Sequence, residues 1–582
     1  VRVVATAGHV DHGKSSLVLA LTGTDPDRFA EEKRRGLTID LGFAHAVLPS
    51  GEGISFIDVP GHIRFLRNML AGVGGIDACL FVVAATEGWK PQSEEHLRIL
   101  ELLGARYGVI ALTKVDLVDD EWRDIATLEV LDHVAGTFLA DAPIIGVSAP
   151  TGGGLDELRN ALDALVATTP QAIDRERPRL WVDRVFAAKG SGTVVTGTLT
   201  DGSLQVDDRV AVGSRHDDVR VRSIQSLGNT MQHIGAGNRV ALNLSGVEHT
   251  EVTRGDAVVH PKQWRPTNRF DASLHVLERL EHEVSRRGAY VAYIGSGEFT
   301  VKLRVLGDEA IQPGANGLIR LHLPEALPLL PGDRFILRES GRNETVGGGE
   351  VLDIAPVLPA SKARPNRDIN RVIAERGWVT VDELVLLTGE RLEATIGQWV
   401  VTAGAVDALR ASVLERVSAA GPLGLDIASL DDRERAVLAT IDTVEIDNGR
   451  AREAEVRDPL ADHPFVAALL AGRFTPPDAT NVDKTELRLL IRSARVVERD
   501  GIYFHPQTID DAAHAAAALL AENPDGFTIA QFRDVTGSTR KHALPLAAEL
   551  DARGITRRRE DLRIGGPRLP VVGGADEGAH TA

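Results

Sequence analysis

Eight residues fix the architecture of the first third of this chain. Gly8-His9-Val10-Asp11-His12-Gly13-Lys14-Ser15 fits the spacing G-x-x-x-x-G-K-[ST], between an apolar run, Val1 to Ala5, and a helix-compatible segment, Ser16 to Leu21. Strand, glycine loop and helix in that order is the setting a phosphate-binding loop requires. Backbone N–H groups of the loop and of the helix N-terminus present partial positive charge to phosphate oxygens. Gly8 and Gly13 allow close approach, Lys14 reaches the β- and γ-phosphates, and the Ser15 hydroxyl can ligate Mg²⁺. Asp11, His12 and Ser16 belong to the same nucleotide-contacting loop.

The residues that follow alternate between apolar strands and amphipathic helical stretches. Ile54–Val59, Ala78–Ala85, Tyr107–Thr113 and Pro143–Ser148 read as parallel strands of a doubly wound α/β sheet, with ligands at their carboxyl ends. The remaining motifs fall at those ends or in the charged stretch between them. Asp58-Val59-Pro60-Gly61 offers a carboxylate to hold Mg²⁺ through water and a glycine able to swing toward a γ-phosphate. Thr38, in Arg35-Gly36-Leu37-Thr38, is a second Mg²⁺ ligand while GTP is bound. In Thr113-Lys114-Val115-Asp116, the Asp116 carboxylate accepts from guanine N1 and N2, a donor pair that adenine lacks. Ser148 and Ala149 contact the base edge.

This ordered set resembles the translational GTPase family, which includes elongation factor Tu. The resemblance implies that His62, directly after Gly61, orients the attacking water during GTP hydrolysis to GDP. Thr113 stands where the family's usual guanine motif has Asn. A Thr supplies no amide bridge to the P-loop, so weaker nucleotide binding and exchange without a separate factor are expected. Longer segments are similar to the selenocysteine-specific (SelB) branch: Arg35–Phe43, Phe56–His62, Asn68–Asp77 and Ala111–Asp116.

After the charged linker Asp174–Pro178 the pattern changes to short alternating strands with glycine turns, such as Leu180–Phe186, Gly192–Gly197 and Arg239–Leu244. These indicate antiparallel β-barrels over residues 178–264 and 265–356. The resemblance implies that both hold aminoacyl-tRNA against a GTP-binding domain at 1–177. It also implies a selenocysteine pocket of Phe43, Asp183, Arg184 and Arg239. A selenol is more acidic than a thiol, so a selenocysteyl group is anionic at neutral pH, and arginines that cannot deprotonate suit it.

Pro356 to Pro365 punctuates a linker, and residues 357–568 then alternate Ala-, Leu-, Glu- and Arg-rich helices with short apolar strands. About four small helix-turn-helix modules with β-wings fit that rhythm, with Val406–Leu409 read as a wing strand. Ser538 to Arg568 carries eight basic and four acidic residues inside a chain of net charge −18. A Ser/Thr-capped helix with Arg540 and Lys541, then a wing with Arg557 and Arg558, reads as a nucleic-acid surface. The SelB resemblance implies that its target is the mRNA hairpin that marks a UGA codon for selenocysteine. Residues 569–582 read as a disordered tail.

The fold class expected is thus multidomain: an α/β P-loop GTPase domain, two antiparallel β-barrels, then α+β winged-helix modules. The −18 charge excludes a protein that coats nucleic acid over its whole surface. No apolar run approaches the roughly 18–20 residues of a membrane span, and no secretory signal opens the sequence. With a single cysteine, Cys79, inside an apolar strand, the reading is a cytoplasmic monomer using GTP/GDP and Mg²⁺. Its partners would be selenocysteyl-tRNA, the mRNA hairpin and the ribosome. An ordinary aminoacyl-tRNA carrier or initiation-type GTPase, and a nucleotide-gated nucleic-acid regulator, are the rival readings.

Overall fold

The computed structural model describes residues 2–27, 32, 34, 38–61, 68–70, 76–188, 192–213, 216–454, 460 and 462–570. His62, Arg35-Gly36-Leu37 and residues 571–582 of the expected tail lie outside that set. The nucleotide domain is built on β1 (Arg2–Ala7), β2 (Gly42–Val47), β3 (Gly53–Asp58), β4 (Ala78–Ala84), β5 (Gly108–Thr113) and β6 (Ile144–Gly146). They form one sheet in the order β2-β3-β1-β4-β5-β6, parallel except for β2, an antiparallel edge strand that the sequence reading left out. The chain departs to opposite sides of β1, which makes the end of β1 a topological switch point where α/β sheets bind ligands.

Alternation along β1 shows why both faces are covered. Val4 joins Leu17, Val18, Leu158 and Leu162 of the helices α1 (Lys14–Thr22) and Leu155–Thr168. Val3 and Ala5 face the other way, toward Leu97 and Leu100 of helix Pro91–Leu102 and Val130 and Val134 of helix Asp120–Val134. Burial on both faces is the reason β4 and β5 read as unbroken apolar runs.

Two barrels follow. In the first, a ring of antiparallel pairs runs through Arg209–Val212, Ala257–Val259, Arg179–Ala188, Gly192–Thr200, Asn238–Ser245 and His216–Ser226, which closes back on Arg209–Val212. The second is a closed barrel of Thr267–Val276, Asn316–Leu327, Gly297–Leu306, Tyr290–Ile294, Arg334–Glu339 and Glu344–Asp353. Period-two burial is plain in Gly297–Leu306, where Phe299, Val301, Leu303 and Val305 point inward.

The chain divides into two compact units, Val1–Thr402 and Ala403–Ala582. The first contains a small module of helices Ile369–Arg376 and Val381–Thr388 with paired strands Trp378–Thr380 and Trp399–Val401. The second contains three further helix-plus-hairpin modules, with hairpins at Val444–Glu453, Val497–Phe504 and Thr556–Gly565. Val406–Leu409 is not a wing strand. It lies inside helix Ala403–Ala419, where Val413 and Val417 are buried one turn apart, and the helical period continues past the short window that looked like a strand. Phe474, outside any strand, packs against the core of the last module. Among the described residues no helix is long and apolar enough to cross a membrane.

On the second barrel, Glu339 and Glu344 face each other across a hairpin, a like-charge pairing that is unfavourable alone. Arg342 donates to Glu339 at 2.8 Å, and His282 Nε2 lies 2.8 Å from Glu344 and 3.4 Å from Glu339. The bond to Glu344 raises the His282 pKa above its ordinary value of 6.5. The folded state therefore holds that proton more tightly than the unfolded chain does. The stabilisation is complete below the ordinary histidine pKa and is lost as pH rises through the elevated folded value. In urea unfolding, the stability gap between the parent and His282→Gln should shrink as pH is raised from about 6 to about 8.

Candidate functional site

The P-loop joins β1 to α1, and its shape is set by backbone that side chains would obstruct. Gly8 has φ +132°, and a Cβ there would stand 2.1 Å from the Val82 carbonyl oxygen. Gly13 caps α1 in the left-handed region at φ 82°. The first-turn amides of α1 have no carbonyl four residues back within the helix, so they face the loop's interior as donors. Lys14 is buried, its ammonium donating to the carbonyls of Gly8 at 3.1 Å and His9 at 2.7 Å. Burial lowers its pKa to about 8, against the opposing pull of Asp58.

The three residues assigned to Mg²⁺ converge. Ser15 Oγ lies 2.7 Å from Thr38 Oγ1 and donates to Asp58 Oδ2 at 2.6 Å, while Thr6 donates to the other Asp58 oxygen at 2.6 Å. Asp58 is buried, and that burial pushes its pKa up. Asp27 accepts from Thr38 at 2.9 Å, and burial, with Asp58 and Glu32 nearby, raises its carboxyl to about 6. Hard oxygen ligands around a buried, under-compensated carboxylate suit a small divalent cation. Gly61 packs closely against the P-loop, since a Cβ on it would lie 2.5 Å from Lys14 Nζ and 2.7 Å from Val10 N.

At the far end of the site, Lys114 takes φ 59° and turns the chain after β5, leaving Asp116 exposed at its edge. Ser148 is buried in the tight loop after β6, accepting from Thr151 N through its hydroxyl, with Ala149 beside it. Thr113 does reach the P-loop. Its hydroxyl donates to the His12 carbonyl at 2.7 Å, so the expected missing bridge is replaced by a single hydroxyl donor.

The proposed selenocysteine residues also come together. The guanidinium carbons of Arg184 and Arg239 lie 3.9 Å and 3.4 Å from the Phe43 ring centroid, on β2 of the nucleotide domain. Arg239 is bidentate to Asp183 at 2.5 Å and 3.0 Å, and Thr196 donates to the same carboxylate at 2.7 Å. Arg184 donates to the Leu41 carbonyl. A β-bulge arranges this: Val182 pairs with Gly197 and Arg184 with Thr196, so Asp183 is an extra residue. The bulge places both Asp183 and Arg184 between the core positions Val182 and Val185. A cleft of about 210 Å³ opens beside Phe43, Thr196, Gln225 and Arg239.

Known proteins resemble this chain in sequence and fold. Family models match for the elongation factor Tu GTP-binding domain over residues 1–168, the β-barrel domain of selenocysteine-specific elongation factor over 269–357, and the elongation factor SelB winged helix over 518–564. Elongation factor Tu 2 of Streptomyces avermitilis is 32% identical over 385 residues, 96% of its length and 60% of this chain. The selenocysteine-specific elongation factor of Desulfomicrobium baculatum is 40% identical over 384 residues, 66% of this chain. The chain belongs to the SelB family of translational GTPases. It spans only 60% of the length of that Desulfomicrobium relative. A crystal structure of a bacterial selenocysteine-specific elongation factor superposes with TM-score 0.72 at 26% identity, covering 97% of this chain and 99% of that one.

In the segment matched to the SelB winged helix, Thr539 caps helix Arg540–Ala552, though its hydroxyl bonds His542 Nδ1 rather than a backbone amide. Arg540, Arg557 and Arg558 are exposed, the latter two on strand Thr556–Arg559, while Lys541 is paired with Asp478 at 2.9 Å. Arg553 and Arg563 are engaged by Glu549 and Asp551, so they add less to the free positive surface than the sequence count suggests.

Several supporting residues went unread in the sequence. His96 accepts from Gly8 N at 3.1 Å and Gln92 from Val10 N at 3.2 Å, so the start of helix Pro91–Leu102 props the P-loop. Burial lowers the pKa of His96 to about 3 and of His12 to about 4. Both stay neutral, leaving Lys14 to supply the loop's charge. Replacing Thr113 with Ala deletes the bond to His12 and strands a buried carbonyl. GDP affinity should fall roughly 5- to 10-fold, the effect of about 1 kcal/mol, as measured by fluorescent-nucleotide displacement.

Proposed function

We propose that this chain is an elongation factor that binds GTP and selenocysteyl-tRNA and delivers the tRNA to the ribosome at UGA codons marked by an mRNA hairpin, hydrolysing GTP on delivery. The observation that carries the reading is the guanidinium pair against Phe43, built between a P-loop domain and the first barrel of a SelB-family chain. Arg184, Arg239 and Arg254 gather around the carboxylates of Asp40 and Asp183, so the cluster is positive on balance. A selenolate fits that balance and a seryl hydroxyl does not exploit it.

In the hydrolytic step, water attacks the γ-phosphate in line with the departing GDP oxygen. His62 orients that water, the P-loop amides and Lys14 stabilise charge on the phosphate oxygens, and Asp116 selects guanine, with Ser148 and Ala149 at the base edge. Ser15 and Thr38, with Asp58 through water, would hold Mg²⁺, which neutralises β- and γ-phosphate charge. Loss of the γ-phosphate removes what holds Thr38 and Gly61 and relaxes their segments. Contact with the ribosome accelerates this step. The division at 1–177, 178–264, 265–356 and 357–568, a monomeric state and a cytoplasmic location are parts of the same reading.

In filter binding with a non-hydrolysable GTP analogue, Arg239→Ala should weaken selenocysteyl-tRNA at least about tenfold and seryl-tRNA by no more than about twofold, because a charge-assisted contact is worth about 1.5–3 kcal/mol. Equal loss for both would remove the pocket assignment. The exposed Arg540, with Arg557 and Arg558 on the wing and Lys541 paired to Asp478, is the proposed hairpin contact. Arg540→Glu should abolish hairpin binding in a gel-shift assay while GTP affinity is unchanged.

A further inference from the structure

One side chain at the edge of the arginine cluster also bonds residues that flank the nucleotide site. Arg254 lies in the turn Thr253–Asp256 of the first barrel. That turn is rigid: the Asp256 carboxylate accepts from Thr253 N at 2.7 Å, and Gly255 N and Val182 N exchange bonds with Val182 O and Asp256 O at 3.0 Å and 2.8 Å. Val182 immediately precedes the bulge residue Asp183, so the turn and the pocket strand move together. From this base the guanidinium makes bonds in three directions. Nε donates to the Asp183 backbone carbonyl at 2.8 Å, Nη1 to Asn68 Oδ1 at 3.0 Å, and Nη2 to Asp40 Oδ1 at 2.8 Å.

The two partners in the nucleotide domain are themselves joined. Asn68 Nδ2 donates to the Ile39 carbonyl at 2.8 Å, and Glu32 accepts from the amides of Ile39 and Asp40 at 3.0 Å and 3.1 Å. Arg254, Asp40, Ile39 and Asn68 thus form a closed ring of contacts. Asp40 follows Thr38 by two residues, and Thr38 is held against Ser15. Asn68 lies seven residues beyond Gly61. The ring can form only when the segment carrying Thr38 and the segment after Gly61 are both in place. Its third arm ends on the residue whose carboxylate clamps Arg239.

We infer that Arg254 is the positioning residue that couples the γ-phosphate-dependent segments to the aminoacyl pocket. When residues 38–40 are ordered, Arg254 is fixed and the Asp183–Arg239 pair is aligned over Phe43. When those residues depart, Arg254 loses its bond to Asp40 and its partner Asn68 loses its own bond to Ile39, and the pocket strand loses its outer support. An Arg is needed because its planar fork presents donors in fixed, divergent directions, which a Lys ammonium on one stem does not. The inference rests on the reading that selenocysteyl-tRNA binds in the GTP state.

Coupling is measured as the ratio of selenocysteyl-tRNA affinities with a non-hydrolysable GTP analogue and with GDP. By linkage the same factor must appear as the tightening of GTP analogue over GDP when selenocysteyl-tRNA is added. In Arg254→Ala both measures should fall at least about fivefold, since site-to-site couplings of this kind span roughly 5- to 150-fold, with the thermal midpoint as control for folding. Asp40→Asn should shrink the ratio in the same sense. The double variant should lose no more than the larger single effect, because both changes remove one shared contact. Arg254→Lys should fail to restore the ratio. A folded Arg254→Ala protein that keeps the parent ratio overturns the inference. A parent protein with the same tRNA affinity in both nucleotide states instead overturns the functional reading beneath it.

Discussion

The interaction on which the rest of the molecule depends is the placement of the Asp58 carboxylate. It is fully buried at the end of β3, takes hydroxyl bonds from Thr6 on β1 and Ser15 on α1, and through Ser15 meets Thr38. A charge in that position is tolerable only while donors or cations surround it. That demand draws strand ends, helix start and the Thr38 segment to a single point. The ordered sheet supplies the rigidity: with β4 and β5 buried on both faces, neither strand can shift to relieve the carboxylate.

From that point the order extends outward in two steps. The Thr38 segment continues into Asp40, then into β2, whose Phe43 forms the floor on which two arginines of the first barrel rest. The barrel answers with a bulge that turns Asp183 and Arg184 out of its core. Each step uses polar groups half-hidden from solvent, where bonds are strong and misalignment is costly. The Asp58 cluster and the arginine pair on Phe43 are therefore joined through a few residues of one segment, not by a long relay.

The nucleotide site was legible because its motifs are contiguous and all but the one with Thr38 follow an apolar strand, so position along the sequence implies position in space. The barrels and small modules were legible as rhythm, from strand length and turn residues. Contacts between distant residues were not. His96 meets Gly8 across 88 positions and Arg254 meets Asp40 across 214, and neither residue sits in a motif. The bulge at Asp183 is invisible to period-two reading, because it is the break in that period. Thr113 lacks the amide, as its type dictates, but the bond its hydroxyl makes to His12 depends on a contact across 101 positions that residue type does not reveal. Val406–Leu409 shows the limit of short windows, where four residues support either period.

The cysteine inventory has a chemical consequence. Cys79, the only cysteine in these 582 residues, lies inside β4, with its thiol pushed up to about 12 by burial. Selenolates combine readily with accessible sulfhydryls under oxidation to give Se–S bonds. The one sulfhydryl among these residues is sealed in its own sheet and protonated there, so it is closed to oxidative coupling with a selenol or thiol at the surface.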